Sequence, residues 1–146
     1  MKRRAYIRDG RAPIPRSALT SRIMSSIRGK DTKPEISLRK ALWGRGHKGY
    51  RLHWSNIPGR PDIAFPGKKI AIFVNGCYWH QCPYCKPASP KSHRKFWKEK
   101  FEKNKKRDKI KNKQLRNCGW HVRTVWECQI KRDVGNVVSR VEDILR

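Results

Sequence analysis

The sequence predicts an α/β domain with a mixed central sheet flanked by helices. Its periodic segments run in the order helix, strands, long helix, strand, helix, which layers naturally as helices over a sheet. Two short apolar runs, residues 62–65 and 69–74, are split by Pro66-Gly-Lys68. That is a hairpin pattern with one well-buried strand. The length, 146 residues, suits a single domain of this kind.

Taken in order, residues 1–20 are basic, carry Pro13 and Pro15 and lack periodicity, so they predict a flexible basic N-terminal arm ahead of one domain over 21–146. Residues 21–30 predict a short helix carrying Ile23, Met24 and Ile27, ended by Gly29. Thr32 followed three residues later by Glu35 is a capping-box pattern, with Pro34 in the first turn where its missing N–H does no harm. The helix it starts should run to about Trp43, burying Ile36, Leu38 and Leu42, and stop at Gly44 and Gly46. Residues 50–57 predict an edge strand or extended loop, and Pro58-Gly-Arg-Pro61 a turn into the hairpin. Residues 75–90 form a cysteine- and proline-rich loop. A long basic helix follows over 93–117, with Phe96, Trp97, Phe101, Ile110 and Leu115 as its apolar positions. Gly119 leads into a strand over 120–126. Val134, Val137, Val138, Val141, Ile144 and Leu145 recur at helical spacing and predict the last helix.

Composition narrows the partner. There are 37 Lys+Arg against 11 Asp+Glu, a net charge of +26. A surplus this large opposes compactness unless a polyanion relieves it, and nucleic acid is the first candidate. Between Lys86 and Lys113 alone stand 13 basic residues and three acids, interleaved with Phe and Trp, which suits duplex contact. A membrane surface would call for an amphipathic basic helix with a broad apolar face, or a lipidation signal. Neither is evident. No run reaches the roughly 20 apolar residues of a membrane span, and no apolar stretch follows the basic Met1-Lys2-Arg3-Arg4. A cytoplasmic, nucleoid-associated protein is expected. Hydrophobic residues make up 36% of the chain, enough for a modest core and too many for a disordered tail.

Five cysteines, Cys77, Cys82, Cys85, Cys118 and Cys128, disfavour a disulfide framework by their odd number and context. The spacing Cys77-x4-Cys82-x2-Cys85 lets three thiolates converge on one structural Zn²⁺. Cys128 is the first candidate for the fourth ligand, with His80 and Cys118 as competitors. Two further residues suggest chemistry. Asp62 follows Pro61 at the mouth of the hairpin, where a carboxylate can bind Mg²⁺ beside a phosphate or simply bond turn amides. His80, just beyond the second hairpin strand, can take a proton from water, ligate zinc or contact a phosphate. Glu35 is first a capping acid, and it can orient water if its helix start faces Asp62.

The segments Arg28-Gly-Lys-Asp-Thr-Lys-Pro-Glu35, Ile57-Pro-Gly-Arg-Pro-Asp62, Phe73-Val-Asn-Gly-Cys-Tyr-Trp-His-Gln-Cys-Pro83, Phe96-Trp97, Asn104-x-x-Arg107-Asp108 and Gly119-Trp-x-Val122 leading to Val125-Trp-Glu-Cys128 resemble the very short patch repair endonuclease family. Its members nick DNA at T:G mismatches. The resemblance covers residues 21 to 128. It implies a restriction-endonuclease-like fold with a structural zinc site, and nicking of the T strand 5′ to the T, as in repair of deaminated 5-methylcytosine. By motif, Asp62, His80 and Glu35 resemble the catalytic residues, with His80 as general base. Asp62 and the Val74 backbone carbonyl resemble the Mg²⁺ ligands, and Cys77, Cys82, Cys85 and Cys128 the zinc ligands. Tyr78 and Trp79 match an aromatic pair that wedges into the duplex, and Met24 a residue that enters from the other groove. Asn75, Arg60 and Lys30 fall in the matching segments as expected DNA contacts. Asn75 stands where family members carry His or Asp, and Asn cannot titrate. Unstacking costs least at a mismatched step, so an aromatic wedge biases binding toward a weak pair before any base edge is read.

The expected partner is therefore double-stranded DNA with a T:G mismatch, acted on by a monomer, with mismatch-repair proteins as further candidate partners. Two other readings remain: a restriction-type or other site-specific nuclease of related fold, which would cut matched and mismatched duplexes alike, and a noncatalytic DNA-binding zinc module, which would bind without cutting.

Overall fold

The computed structural model describes residues 31–145. The basic arm over 1–20 and the short helix over 21–30, with Met24 and Lys30, lie outside the described residues. The elements are α1 (Lys33–Gly44), β1 (Arg51–Leu52), β2 (Ile63–Phe65), β3 (Ile70–Asn75), α2 (Arg94–Asn117), β4 (His121–Trp126) and α3 (Glu127–Leu145). A single 3₁₀ turn, Pro66–Lys68, joins β2 to β3.

The four strands form one sheet in the order β1-β2-β3-β4. β1 pairs with β2 and β2 with β3 antiparallel, while β3 and β4 run parallel. The parallel pair is what requires the long crossover through α2. β3 alternates across the sheet. Ile70 and Ile72 join Ile63, Phe65 and Val125 in a core closed by Leu38 and Leu42 of α1 and Ile130, Val137, Val138, Val141 and Leu145 of α3. Ala71 and Phe73 face the other way, against Leu115 of α2 with Ile57, Trp120 and Val122 around them. Helices thus cover both faces, as the alternating pattern predicts. None of the described helices is long and apolar enough to cross a membrane.

Four local expectations change. The stretch 50–57 contributes only the two-residue β1, because the chain turns at His53, whose backbone is left-handed (φ 46°). The last helix begins at Glu127, seven residues before its apolar period, and is kinked at Asp133. There the Asp133 carboxylate accepts from Asn136 N–H and acts as a fresh N-cap. Ile110 is 57% exposed and not a core position of α2. At the start of α1, Thr32 Oγ1 accepts from Glu35 N–H, but Glu35 Oε2 reaches back to the amide of Asp31 rather than to that of Thr32. The reciprocal half of the capping box is displaced by one residue, and this carries the Glu35 carboxylate toward the sheet.

Candidate active site and thiol cluster

The turn that feeds β2 and the end of β3 build the acidic centre. Asp62 Oδ2 accepts a 2.7 Å hydrogen bond from Val74 N–H on the neighbouring strand. The carboxylate is thereby tied beside the backbone whose carbonyl is the other expected Mg²⁺ ligand. Burial raises the Asp62 carboxyl above its ordinary range; the Val74 amide and the charges of His53, Lys111 and His80 pull against that. Glu35, 4% exposed, is raised by burial and by the nearby Asp62 charge. So α1 does face Asp62, and two carboxylates from distant segments share one site.

His53 lies among them. Its Nε2 is 3.3 Å from Asp31 Oδ1 and 3.5 Å from Glu35 Oε2, and its Nδ1 is 3.8 Å from Asp62 Oδ1. Sequence reading missed this residue, since nothing in the spacing of 50–57 marks it. Asp31, Glu35 and His53 also present their ligand atoms within 4.8 Å of one another. Asp31 is already held by Arg39 Nη1 at 2.8 Å, which keeps its carboxyl below the usual range.

His80 is placed by the turns after β3, where its N–H donates to Gly76 O. Its Nδ1 is 2.6 Å from Asp108 Oδ2. In the neutral imidazole with a carboxylate accepting at Nδ1, the proton lies on Nδ1 and Nε2 is the acceptor. Sequence reading places Asp108 in a motif without a role, since nothing in the sequence sets it apart from Glu99 and Glu102 on the same basic helix. One turn earlier on α2, Asn104 Nδ2 donates to Trp79 O at 2.9 Å.

The rings of Tyr78 and Trp79 are half-buried and meet edge to face, with centroids 5.1 Å apart. They continue into α2. Trp79 lies 5.7 Å from Trp97, Tyr78 5.5 Å from Phe101, and Trp97 stacks on Phe101 at 5.8 Å. Asn75 is buried at the end of β3, whereas Arg60 is exposed in the turn before Asp62, with its Nε on His53 O.

The sulfurs of Cys77, Cys82, Cys85 and Cys128 all lie within 4.8 Å of one another. Backbone amides point at two of them: Cys128 N–H at Cys77 Sγ and Tyr84 N–H at Cys82 Sγ. Four thiols with amide donors around them fit a tetrahedral zinc ion. Of the competitors for the fourth position, His80 turns to Asp108, and Cys118 is exposed at the C-cap of α2. Burial pushes the Cys77 thiol far up, so binding a metal there must displace a proton. Cys128 sits on the first turn of α3, and the cluster therefore ties the loop after β3 to the helix after β4.

Residues 14–86 match the family model described as DNA mismatch endonuclease Vsr. The type II nicking enzyme V.XorIIP of Xanthomonas oryzae pv. oryzae is 38% identical over 123 residues, covering 84% of this chain and 89% of the relative. V.NaeI of Lentzea aerocolonigenes, also named a type II nicking enzyme, is 37% identical over 142 residues, covering 94% and 82%. The DNA mismatch endonuclease Vsr of Escherichia coli K12 is 34% identical over 120 residues, covering 82% and 76%.

Proposed function

The chain belongs to the DNA mismatch endonuclease Vsr family, a family of DNA endonucleases, and from that premise we propose that it nicks the T strand of duplex DNA 5′ to the T of a T:G mismatch. The observation that carries the reading is the pairing of His80 with Asp108 at 2.6 Å beside an acidic centre built from Asp62 and Glu35. With its Nδ1 proton held by Asp108, His80 Nε2 takes the proton of the attacking water. The water oxygen forms a bond to phosphorus and the bond to the 3′-oxygen breaks, leaving a 5′-phosphate. Glu35 orients that water. Asp62 and the Val74 carbonyl would hold Mg²⁺, and such an ion would supply positive charge toward the phosphate and the leaving oxygen.

Recognition falls to Tyr78 and Trp79, which wedge beside the mismatch, with Met24 entering from the other groove. Arg60, Lys30 and Asn75 contact the DNA backbone, and the basic surplus adds salt-dependent affinity. The thiol cluster holds Zn²⁺ as a structural ion that keeps this loop in place. The chain acts as a monomer with a restriction-endonuclease-like fold; the placement of Asp62, in the turn that feeds β2, beside Val74 of β3 supports that assignment.

The test is end-labelled duplexes, T:G and C:G, with randomised flanks and Mg²⁺. The expected result is a nick confined to the T strand of the mismatched duplex. The second reading is a restriction-type or other site-specific nuclease of related fold that cuts matched and mismatched duplexes alike; the names of relatives called type II nicking enzymes carry nicking and no mismatch. Equal cutting of both duplexes selects it. Binding with no cut overturns both.

A further inference from the structure

Glu35 and Asp62 come from separate elements, and His53 is the side chain that touches both. It is clamped by its backbone: its N–H donates to Asp62 O at 3.1 Å, and its carbonyl accepts from Arg60 Nε at 3.4 Å. Its side chain is only 15% exposed. One ring nitrogen faces Glu35 and Asp31 at 3.5 and 3.3 Å, and the other faces Asp62 at 3.8 Å. Two buried carboxylates repel, as the effect of Asp62 on Glu35 records. An imidazole lies between them: its Nε2 is hydrogen-bonded to Asp31 Oδ1 and stands against Glu35 Oε2, while its Nδ1 borders Asp62, so the ring spaces the two acids.

Asp62 is fixed at Oδ2 by Val74 N–H, so its orientation is set at one oxygen only. His53 borders the other. The trio Asp31, Glu35 and His53 is not itself a second cation cradle: Arg39 occupies Asp31 Oδ1, and the Asp31 amide occupies Glu35 Oε2. It is a held network, and what it holds is the pair of acids.

The geometry points to His53 as a positioning residue that fixes the Glu35 carboxylate relative to Asp62, so that both acids meet the cation and the scissile phosphate in one arrangement. This rests on the reading that Asp62 and Glu35 serve nicking. Side chains that orient metal ligands cost about 10–100-fold in metal affinity or activity when removed.

The test uses the full-length, zinc-loaded protein and the variants His53→Asn and His53→Gln. Asn accepts left-handed backbone well, so His53→Asn keeps the turn while withdrawing the ring. Two quantities are read: Mn²⁺ affinity of the DNA-free protein, from the free-ion EPR signal, and single-turnover nicking at saturating Mg²⁺. His53→Asn should lose about tenfold or more in both, with its melting temperature unchanged. His53→Gln, whose longer amide reaches back toward the carboxylates, should recover most of the loss. The proposal is overturned if His53→Asn stays within twofold of wild type in both, or if His53→Gln is no better than His53→Asn. Failure of the function itself looks different: the wild-type protein then fails to nick the T:G duplex at all.

Discussion

Replacing Asp108 with Asn should slow nicking while leaving DNA binding and stability nearly untouched. The His80–Asp108 contact is 2.6 Å, a charge-assisted hydrogen bond. The carboxylate fixes the imidazole with its proton on Nδ1. A carboxamide can turn its own N–H toward Nδ1, which drives the ring proton to Nε2 and removes the base. General-base catalysis contributes roughly 10²–10⁴-fold. The two side chains are 27% and 25% exposed, and solvent screening weakens the pair. The lower end therefore applies: a loss of about 100-fold, or about 2.7 kcal/mol of barrier. Single-turnover nicking of an end-labelled T:G duplex at saturating Mg²⁺ measures it, with anisotropy for binding and a thermal melt for folding. A variant that nicks within threefold of wild type, in a folded state that binds DNA normally, refutes the role of Asp108 and with it the assignment of His80 as base.

Two further predictions follow from the acids and the thiols. Burial raises Asp62 and Glu35 above the ordinary carboxylate range, so protons should begin to compete with Mn²⁺ for the DNA-free site at a pH above that range, read from the free-ion EPR signal. The effect on stability has the opposite sign. A carboxyl whose pKa is higher folded than unfolded destabilises the fold increasingly as pH rises from the unfolded toward the folded pKa. Metal-free Asp62→Asn should therefore melt above wild type at neutral pH, lose that advantage below both pKa values, and be inactive; equal melts at pH 7 would count against a desolvated Asp62. For the thiols, structural zinc contributes about 10–16 kcal/mol in small domains, comparable with the whole stability of a domain. Cys128→Ser should lose the bound zinc and melt far lower, and a wild-type protein that is purified zinc-free with an unchanged melt would refute the metal assignment.

Most of the fold was legible because its signals are local. The capping residues before α1, the apolar run of β3 and the valine period of α3 each report on their own neighbourhood; α1 and β3 lie near their predicted bounds, and α3 contains its valine period but starts seven residues before it. Where the sequence misled, the cause was tertiary. Ile110 reads as core by type, yet more than half of it is exposed on α2. The first turns of α3 carry only Ile130 as a buried apolar residue, too little for a period, and their helical form follows from docking onto the thiol cluster and sheet. In the candidate site, Asp62, His80, Glu35 and the four cysteines were singled out from residue type and motif. His53 and Asp108 were not given roles. A histidine in a short irregular stretch and an aspartate among lysines acquire partners only when segments 22 and 28 residues away, respectively, are folded against them.

The register of α2 shows how one helix joins those partners. Trp97, Phe101, Asn104, Asp108, Lys111 and Leu115 are spaced by four, three, four, three and four residues. The mean of that spacing is the helical period of about 3.6, so all six share one face. In order along the helix, Trp97 and Phe101 pack the Tyr78 and Trp79 rings, Asn104 bonds the Trp79 carbonyl, and Asp108 bonds His80. Lys111 then lies over the Phe73 ring and against Gly59, and Leu115 enters the core beneath β3. Gly59 is required there: it has φ +81°, and a Cβ would come within 3.1 Å of Lys111 Cβ. The face that seats the aromatic pair is thus the face that sets His80 and packs beside the turn before Asp62. The ring pair and His80 are joined twice, through the Trp79–His80 peptide and through the helix turn that separates Asn104 from Asp108, so a substitution that moves the rings should also move His80.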